Sequence, residues 1–384
     1  MSDQFIPFAL PDIGEREIEA VVKTMRSGWL TTGPNTQAFE EEFAKFIGGD
    51  GIHAVAVNSA TAGLHLALEA LSIGPGDEVL VPNWTFTATA EVVRYLGATP
   101  VLVEVDNDSL NIDFNSASSK ITTRTKAIMP VHFAGLAVDR EALARFAETY
   151  SLSVVEDAAH ALPAYSKNVM VGNGNSAATV FSFYATKTMT TGEGGMVVTR
   201  DGAMAQRMRV MRLHGINRDA FDRYRSKIPS WYYEVVAPGF KYNMTDTASA
   251  IGRVQLERAQ EMRDRRCQIA EYYFREFADL PIQLPAQAPD AGEHSWHLYT
   301  IRLRTDKYSR NDFIAKLFEN GVGASVHFIP LHRHPYWNAL GQHKDSDFPV
   351  SSKAFEDVLS LPIFSSMDGG QIEKVAKTVK DVLS

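Results

Sequence analysis

Short apolar runs bounded by turn residues recur through the first two hundred positions of the chain. His53–Asn58, Glu78–Pro82, Pro100–Val105, Lys126–Val131, Ser153–Asp157, Thr179–Phe183 and Gly195–Thr199 each read as a buried strand. Helical spacing appears between several of them. Leu64, Leu68 and Leu71 fall on one face after Ser59 and Thr61, and Thr85–Leu96 repeats the pattern. Gly74-Pro75-Gly76-Asp77 is a turn. Strands alternating with helices predict an α/β fold built on a mostly parallel sheet with both faces covered. Past Thr245 the pattern changes. A helical stretch runs from Thr245 to Leu280, a proline-containing loop occupies 281–293, and a strand is expected over His297–Arg302. A helix over Asn311–Glu319, an extended run Ser325–Phe328 and a last helix Asp368–Leu383 complete the chain. The expected division is a large domain over 1–255, including the N-terminal segment, and a smaller α+β domain over 256–384.

Parallel sheets bind ligands beyond the carboxyl ends of their strands. Asn58-Ser59, Asp157 and the segment Tyr184–Lys187 all fall at such ends, which predicts one shared site. Lys187 follows Phe181-Ser-Phe-Tyr-Ala-Thr186, aromatic and small residues with no other charge, and precedes Gly192-Glu-Gly-Gly195. A lysine there is partly desolvated, which lowers its pKa and frees the amine. Asp157 sits in Val155-Glu-Asp-Ala-Ala-His160. A lysine and a strand-end acid together are what pyridoxal 5'-phosphate (PLP) requires: an amine to form a Schiff base with the aldehyde, and a carboxylate to keep the pyridine nitrogen protonated. Asp157 read alone also suits a helix cap. Ala158 and Ala159 leave room for a flat ring. His160 either orients Asp157, contacts the ring hydroxyl, or lies on a helix surface. Ser59-Ala60-Thr61, at a strand-to-helix junction, suits a phosphate or serves as a simple N-cap. Ser182 would add a hydroxyl to the same phosphate. Phe86 either stacks on the ring or packs in the core.

The remaining features narrow the picture. A formal net charge of −8 over 384 residues argues against general nucleic-acid binding. One cysteine, Cys267, allows neither an intrachain disulfide nor a cysteine-based zinc site. No secretion signal or long apolar span is visible, so a cytoplasmic protein is expected. Gly172-Asn-Gly-Asn-Ser-Ala177 matches a dinucleotide-binding fingerprint but precedes a strand where that motif needs a helix, and it reads as a loop. His327, His332 and His334 cluster without a supporting carboxylate or cysteine. Substrate contact is expected there, and no metal site. Arg207, Arg209, Arg212, Arg218, Arg223 and Arg225 read as a solvated helix face or as neighbours of a diphosphate.

Taken in order along the chain, Ser27–Pro34, Asn58–Thr61, Val155–His160, Phe181–Gly195, Gly239–Asp246 and Val326–His332 resemble the DegT-type family of nucleotide-sugar aminotransferases, PLP enzymes of the aspartate-aminotransferase fold. The resemblance implies Lys187 as Schiff-base lysine and proton shuttle, Asp157 at the pyridine nitrogen, and His160 and Phe86 at the ring. It implies that Ala60, Thr61 and Ser182 hold the phosphate, with Asn243 reaching it from the neighbouring subunit of a homodimer. Thr31, His327 and His332 are the expected substrate contacts. The implied reaction moves an amino group from L-glutamate, released as 2-oxoglutarate, to a nucleotide-linked ketosugar, for an aminosugar such as those of lipopolysaccharide or O-antigen. Gly239–Asp246 and His214-Gly-Ile216 look most like members that aminate carbon 4 of a UDP-linked sugar. Amination at carbon 3, or of a GDP- or dTDP-sugar, stays open, as does a PLP-dependent sugar dehydratase. Relatives that dehydrate carry histidine in place of the lysine, so Lys187 favours amino transfer. A non-catalytic regulator keeping the pocket would bring a DNA-binding module or basic tail, and none is visible.

Overall fold

A computed structural model describes residues 5–217, 232–289 and 292–384. The seven apolar runs become strands β1 (His53–Val57), β2 (Glu78–Pro82), β3 (Thr99–Val103), β4 (Thr125–Ile128), β5 (Ser153–Asp157), β6 (Ala178–Ser182) and β7 (Gly195–Thr199). They form one sheet in the order β1-β7-β6-β5-β4-β2-β3. Every pairing is parallel except those of β7, which runs antiparallel to both β1 and β6. Antiparallel neighbours need no crossover helix, and only residues 183–194 join β6 to β7. The reversal puts the start of β7 beside the ends of β1 and β6, with Gly195 paired to Val57 and to Ser182. Residue 195 must be glycine-sized, because a Cβ would stand 2.8 Å from Ala60 N.

Among the described residues the larger part of the chain carries the α-helices α1 (Glu15–Ser27), α2 (Pro34–Ile47), α3 (Ala60–Ala70), α4 (Ala88–Tyr95), α5 (Phe114–Ser119), α6 (Arg140–Tyr150), α7 (Gly202–Met211) and α8 (Asp246–Phe277). The period-2 pleat splits β1 between two cores. Val55 and Val57 join the cluster with Leu64, Leu66 and Leu68 of α3, while Ala54 and Ala56 join Phe39 and Phe43 of α2. α4 begins three residues later than the pattern suggests, because Thr85-Phe86-Thr87 stay outside the helix, with Thr85 and Phe86 at the site described below.

β1 is an edge strand, and an edge leaves backbone groups unpaired. Glu40 accepts from Ala56 N at 2.9 Å and pairs with Arg212, which donates to Ala56 O at 2.7 Å. Arg209 donates to Ala54 O at 2.9 Å, and Arg207 pairs with Glu69. These three arginines therefore close the sheet edge and brace a helix. They are tied to structural partners and do not form a freely solvated face. Arg218, Arg223 and Arg225 lie outside the described residues.

Helix α8, 32 residues capped by the Thr245 hydroxyl, joins two cores. Its length is about 48 Å at 1.5 Å per residue. Its first half packs on α1 and α2. Its second half gives Ile269, Tyr273 and Phe277 to a cluster with the small antiparallel sheet β8 (Ile282–Gln283), β9 (Tyr299–Leu303) and β10 (Val358–Leu361). The expected boundary at 255/256 falls inside this helix. Four helices complete the unit: α9 (Arg310–Glu319), α10 (Pro335–Gly341), α11 (Pro349–Asp357) and α12 (Gly369–Leu383). The run Ser325–Phe328 enters the sheet only through a bridge between Ser325 and Ser360. The 172–177 segment is a loop leading into β6. Among the described residues no helix is long and apolar enough to cross a membrane.

Candidate active site

A cavity of about 480 Å³ opens at the carboxyl edge of the sheet, where β1, β5 and β6 end and β7 begins. That size suits a cofactor with part of a substrate. Ala60, Thr61, Phe86, Asp157, His160, Ser182, Lys187 and His327 line it together. A second cavity of about 540 Å³ lies around α6 and the 169–177 segment. It carries a buried His132–Glu156 pair at 2.9 Å but no lysine, so it lacks the amine the chemistry needs.

Asp157 ends β5 and is 6% exposed. Its Oδ2 accepts from the Thr89 hydroxyl at 2.8 Å and its Oδ1 from Ala159 N at 3.1 Å. Thr85 Oγ1 stands 2.7 Å from Thr89 Oγ1 and extends the chain. Burial raises the Asp157 pKa, and the hydrogen bonds from Thr89 and Ala159, with the charge of Lys187, offset this only in part. The carboxylate is oriented by Thr89, not by His160. Nor is His160 a helix-surface residue. Its ring is 8% exposed and stacks on Phe328 at 5.9 Å and 19°.

Lys187 lies in the turn after β6, its amide donating to Tyr184 O at 2.9 Å. The side chain reaches solvent through the cavity yet is densely surrounded by protein atoms. Burial lowers its pKa to about 8, against the pull of Asp157 and with a further push from Arg266. The nearest partner of Nζ is His297 Nε2 at 3.5 Å.

On the opposite side, Ser59 Oγ accepts from Ala62 N at 3.1 Å and caps α3. The N-terminal amides of this helix and the hydroxyls of Thr61 and Ser182 then face the cavity as anion donors. The N-cap and phosphate readings of Ser59–Thr61 are thus both compatible with one geometry. Phe86 is 60% exposed and lies 6.2 Å from Phe328, so it is a cavity wall and not core.

Three expected site residues lie elsewhere in the chain. Asn243 donates to Thr32 Oγ1 at 2.8 Å and lines a smaller cleft. Thr31 is exposed next to it. His332 is 1% exposed, with Nδ1 2.8 Å from Asn83 Nδ2 and Nε2 2.9 Å from Asp345 Oδ1. The turn Leu331–Arg333 folds it back beneath Asn83, so the structure gives it no cavity contact. Thr89, His297, Phe328 and Phe8 were not found from sequence. Thr89 carried a weak signal, a second threonine one helical turn after Thr85.

The residues present fit PLP on the structure's own evidence. A desolvated acid faces a lysine of lowered pKa, a helix N-terminus closes one end, and the buried Nδ1 of His160 has no hydrogen-bond partner among the described residues. A sheet of this topology with this lysine and acid at its carboxyl edge suits a PLP-dependent enzyme. Residues 11–380 match the DegT/DnrJ/EryC1/StrS aminotransferase family, and the chain belongs to it. It is 44% identical over 384 residues to SpsC, a spore coat polysaccharide biosynthesis protein of Bacillus subtilis, covering 99% of this chain and 98% of that one. Among solved structures it is similar to Spr1654 from Streptococcus pneumoniae in a PLP form, with TM-score 0.89, 33% identity, and 99% and 100% of the two chains covered. It is also similar to Helicobacter pylori PseC, an aminotransferase involved in the biosynthesis of pseudoaminic acid, with TM-score 0.89, 29% identity and 99% of each chain covered. The protein is a PLP-dependent sugar aminotransferase.

Proposed function

We propose that the protein moves an amino group from L-glutamate to the keto group of a nucleotide-linked deoxysugar, at carbon 4 of a UDP-4-keto-6-deoxy sugar. The observation that carries this reading is the pairing of Lys187 with Asp157 in one cavity at the sheet's carboxyl edge. When bound, PLP supplies an aldehyde for amine exchange and a ring that accepts electrons. Lys187 Nζ would hold it covalently; once displaced, the same amine would carry the proton between substrate carbon and cofactor, away from the glutamate carbon in one half of the reaction and to the sugar carbon in the other. A pKa of about 8 leaves Nζ able both to accept and to donate near neutral pH. Asp157 keeps a proton on the ring nitrogen, and Thr89 fixes the carboxylate for that task. The α3 amides at Ala60 and Thr61, with the hydroxyls of Thr61 and Ser182, receive the phosphate. Phe86 covers the ring, His160 meets its polar edge, and His327 contacts substrate.

Carbon 4 and UDP are supported by the residue pattern of 239–246 and 214–216, and a surface polysaccharide as destination by the similarity to SpsC. A panel of nucleotide ketosugars tests the reading, with 2-oxoglutarate release from glutamate as the signal. Turnover is expected with the UDP-4-keto-6-deoxy sugar. Turnover confined to 3-keto, GDP- or dTDP-sugars, or a dehydrated product formed without glutamate, contradicts it.

Asn243 and Thr31 line no cavity with Lys187 in their own chain, and we assign them to the partner's site in a homodimer. Asn243→Ala should weaken PLP retention roughly tenfold, the worth of about one hydrogen bond. Mixing that variant with Lys187→Ala should restore part of the activity, because each mixed dimer keeps one intact site. No restoration removes the shared site.

A further inference from the structure

The segment leading into β9 holds strained backbone near the site. Trp296 adopts φ +50, in the left-handed region that bulky side chains avoid. Such a conformation persists only where its surroundings over-determine it. Here they do. The Trp296 amide donates to His294 Nδ1 at 2.8 Å, and the two rings stack at 3.8 Å and 3°. Ser295 donates through Oγ to His160 O at 2.5 Å and through its amide to Gly135 O at 3.0 Å. Leu298 N donates to Ala134 O at 3.1 Å. Gly135, at φ +101, leaves the space: a Cβ there would stand 2.0 Å from Ser295 Oγ. Arg266 of α8, 2% exposed, donates to the carbonyls of Trp296, His297 and Ile363. Three separate parts of the chain, at 134–135, His160 and Arg266, thus hold five residues whose one side chain in the cavity is His297.

We infer that this strained segment exists to aim His297 at Lys187, and that His297 is a positioning residue whose imidazole accepts a hydrogen bond from the Lys187 ammonium and holds Nζ in place. The inference rests on Lys187 being the reactive amine. His297 Nε2 is the nearest partner of Nζ, at 3.5 Å, a separation expected to tighten in a loaded site. The imidazole must be neutral for this. Burial first, then the charge of Lys187, then His160, Arg266 and His327, holds it well below the usual histidine range. The groups facing Lys187 are Asp157 at the end of β5, Arg266 on α8, and the three histidines 160, 297 and 327. Among the described residues two acids line the cavity, Asp157 and Glu193, and of these Asp157 is the one whose charge acts on Lys187. A neutral acceptor that stabilises the ammonium without adding another cation therefore suits this pocket.

The test is the pH dependence of cyanate carbamoylation at Lys187 in the full-length chain before PLP is added, read by peptide mass. Cyanate reacts with the free amine. The wild-type midpoint is expected near the lysine's value of about 8. His297→Phe keeps a ring and removes the acceptor, so the ammonium loses support and the midpoint should fall by about one pH unit. His297→Gln places an amide oxygen where Nε2 stood and should keep the wild-type midpoint. A merely structural histidine would give the two variants the same midpoint. An unchanged or raised midpoint in His297→Phe overturns the inference, as does an equal fall in His297→Gln. Borohydride after PLP addition to the wild type is read alongside: if Lys187 stays unmarked there, the reading of the lysine has failed, and not the role of His297.

Discussion

Lys187→Ala is expected to lose turnover by at least about 10⁴-fold, the upper range for removing a general acid–base group. It should also lose the absorbance band of covalently held PLP. The two losses have one origin. In the proposed chemistry the same Nζ anchors the cofactor and moves the substrate's proton, so no neighbour can replace it by taking over one task. Asp157 cannot, because it is committed to Thr89 and Ala159. His160 and His297 cannot form the bond that an amine forms, although His297 Nε2 stands 3.5 Å from Nζ. Cofactor should still enter the variant, held by the α3 amides and by Thr61 and Ser182. Steady-state assay with glutamate and a spectrum of the loaded variant check both parts. Turnover within tenfold of wild type, or an unchanged band, would remove Lys187 from its assigned role.

Asp157→Asn comes second in size. Losing the charge opposite the ring nitrogen should lower turnover roughly 10²–10³-fold, the usual effect of removing one preorganised electrostatic group. The geometry should survive. An asparagine can accept from Ala159 N and donate to the Thr89 hydroxyl, which keeps Thr85 as a neighbour. The stability effect has the opposite sign. The folded pKa of Asp157 is raised above its unfolded value, so its stabilising contribution is complete below the unfolded pKa and is lost as pH rises through the folded one. Above that window the ionised, buried carboxylate weighs against the cofactor-free fold. At pH 9 the Lys187 amine is mostly neutral and no longer relies on this counterion. There Asp157→Asn, without cofactor, should raise Tm by roughly one to three degrees, and the gain should vanish near pH 3. A more stable, nearly inactive variant is the signature of an acid kept for chemistry at the expense of the fold. A lower Tm at pH 9 contradicts that assignment.

Much of this site was legible because it depends on strand ends. The short apolar runs located β1, β5 and β6, and their carboxyl ends carry Ser59, Asp157 and Lys187 to one edge. What the pattern could not carry is direction. Nothing in Gly195–Thr199 says that β7 runs against its neighbours, because alternation looks the same read either way. Nor could it show that β1 is an edge, so Arg209 and Arg212 looked like surface charges when their targets were the unpaired carbonyls of Ala54 and Ala56. His327 and His332 looked equivalent five residues apart, and a single tight turn sends one to the cavity and the other under Asn83. His297 left no local trace. Its place depends on Gly135, Ser295 and Arg266, contacts that exist only once two cores have packed around α8. The boundary at 255/256 failed to appear as a break because helical periodicity continues through it with no proline to end the helix.

The central claim is that the amine at position 187 bonds PLP beside a buried acid. The most direct measurement is borohydride reduction of the PLP-loaded wild-type protein, followed by peptide mapping. One phosphopyridoxyl group is expected, on the peptide containing Lys187; a label on any other lysine, or on none, would overturn that assignment.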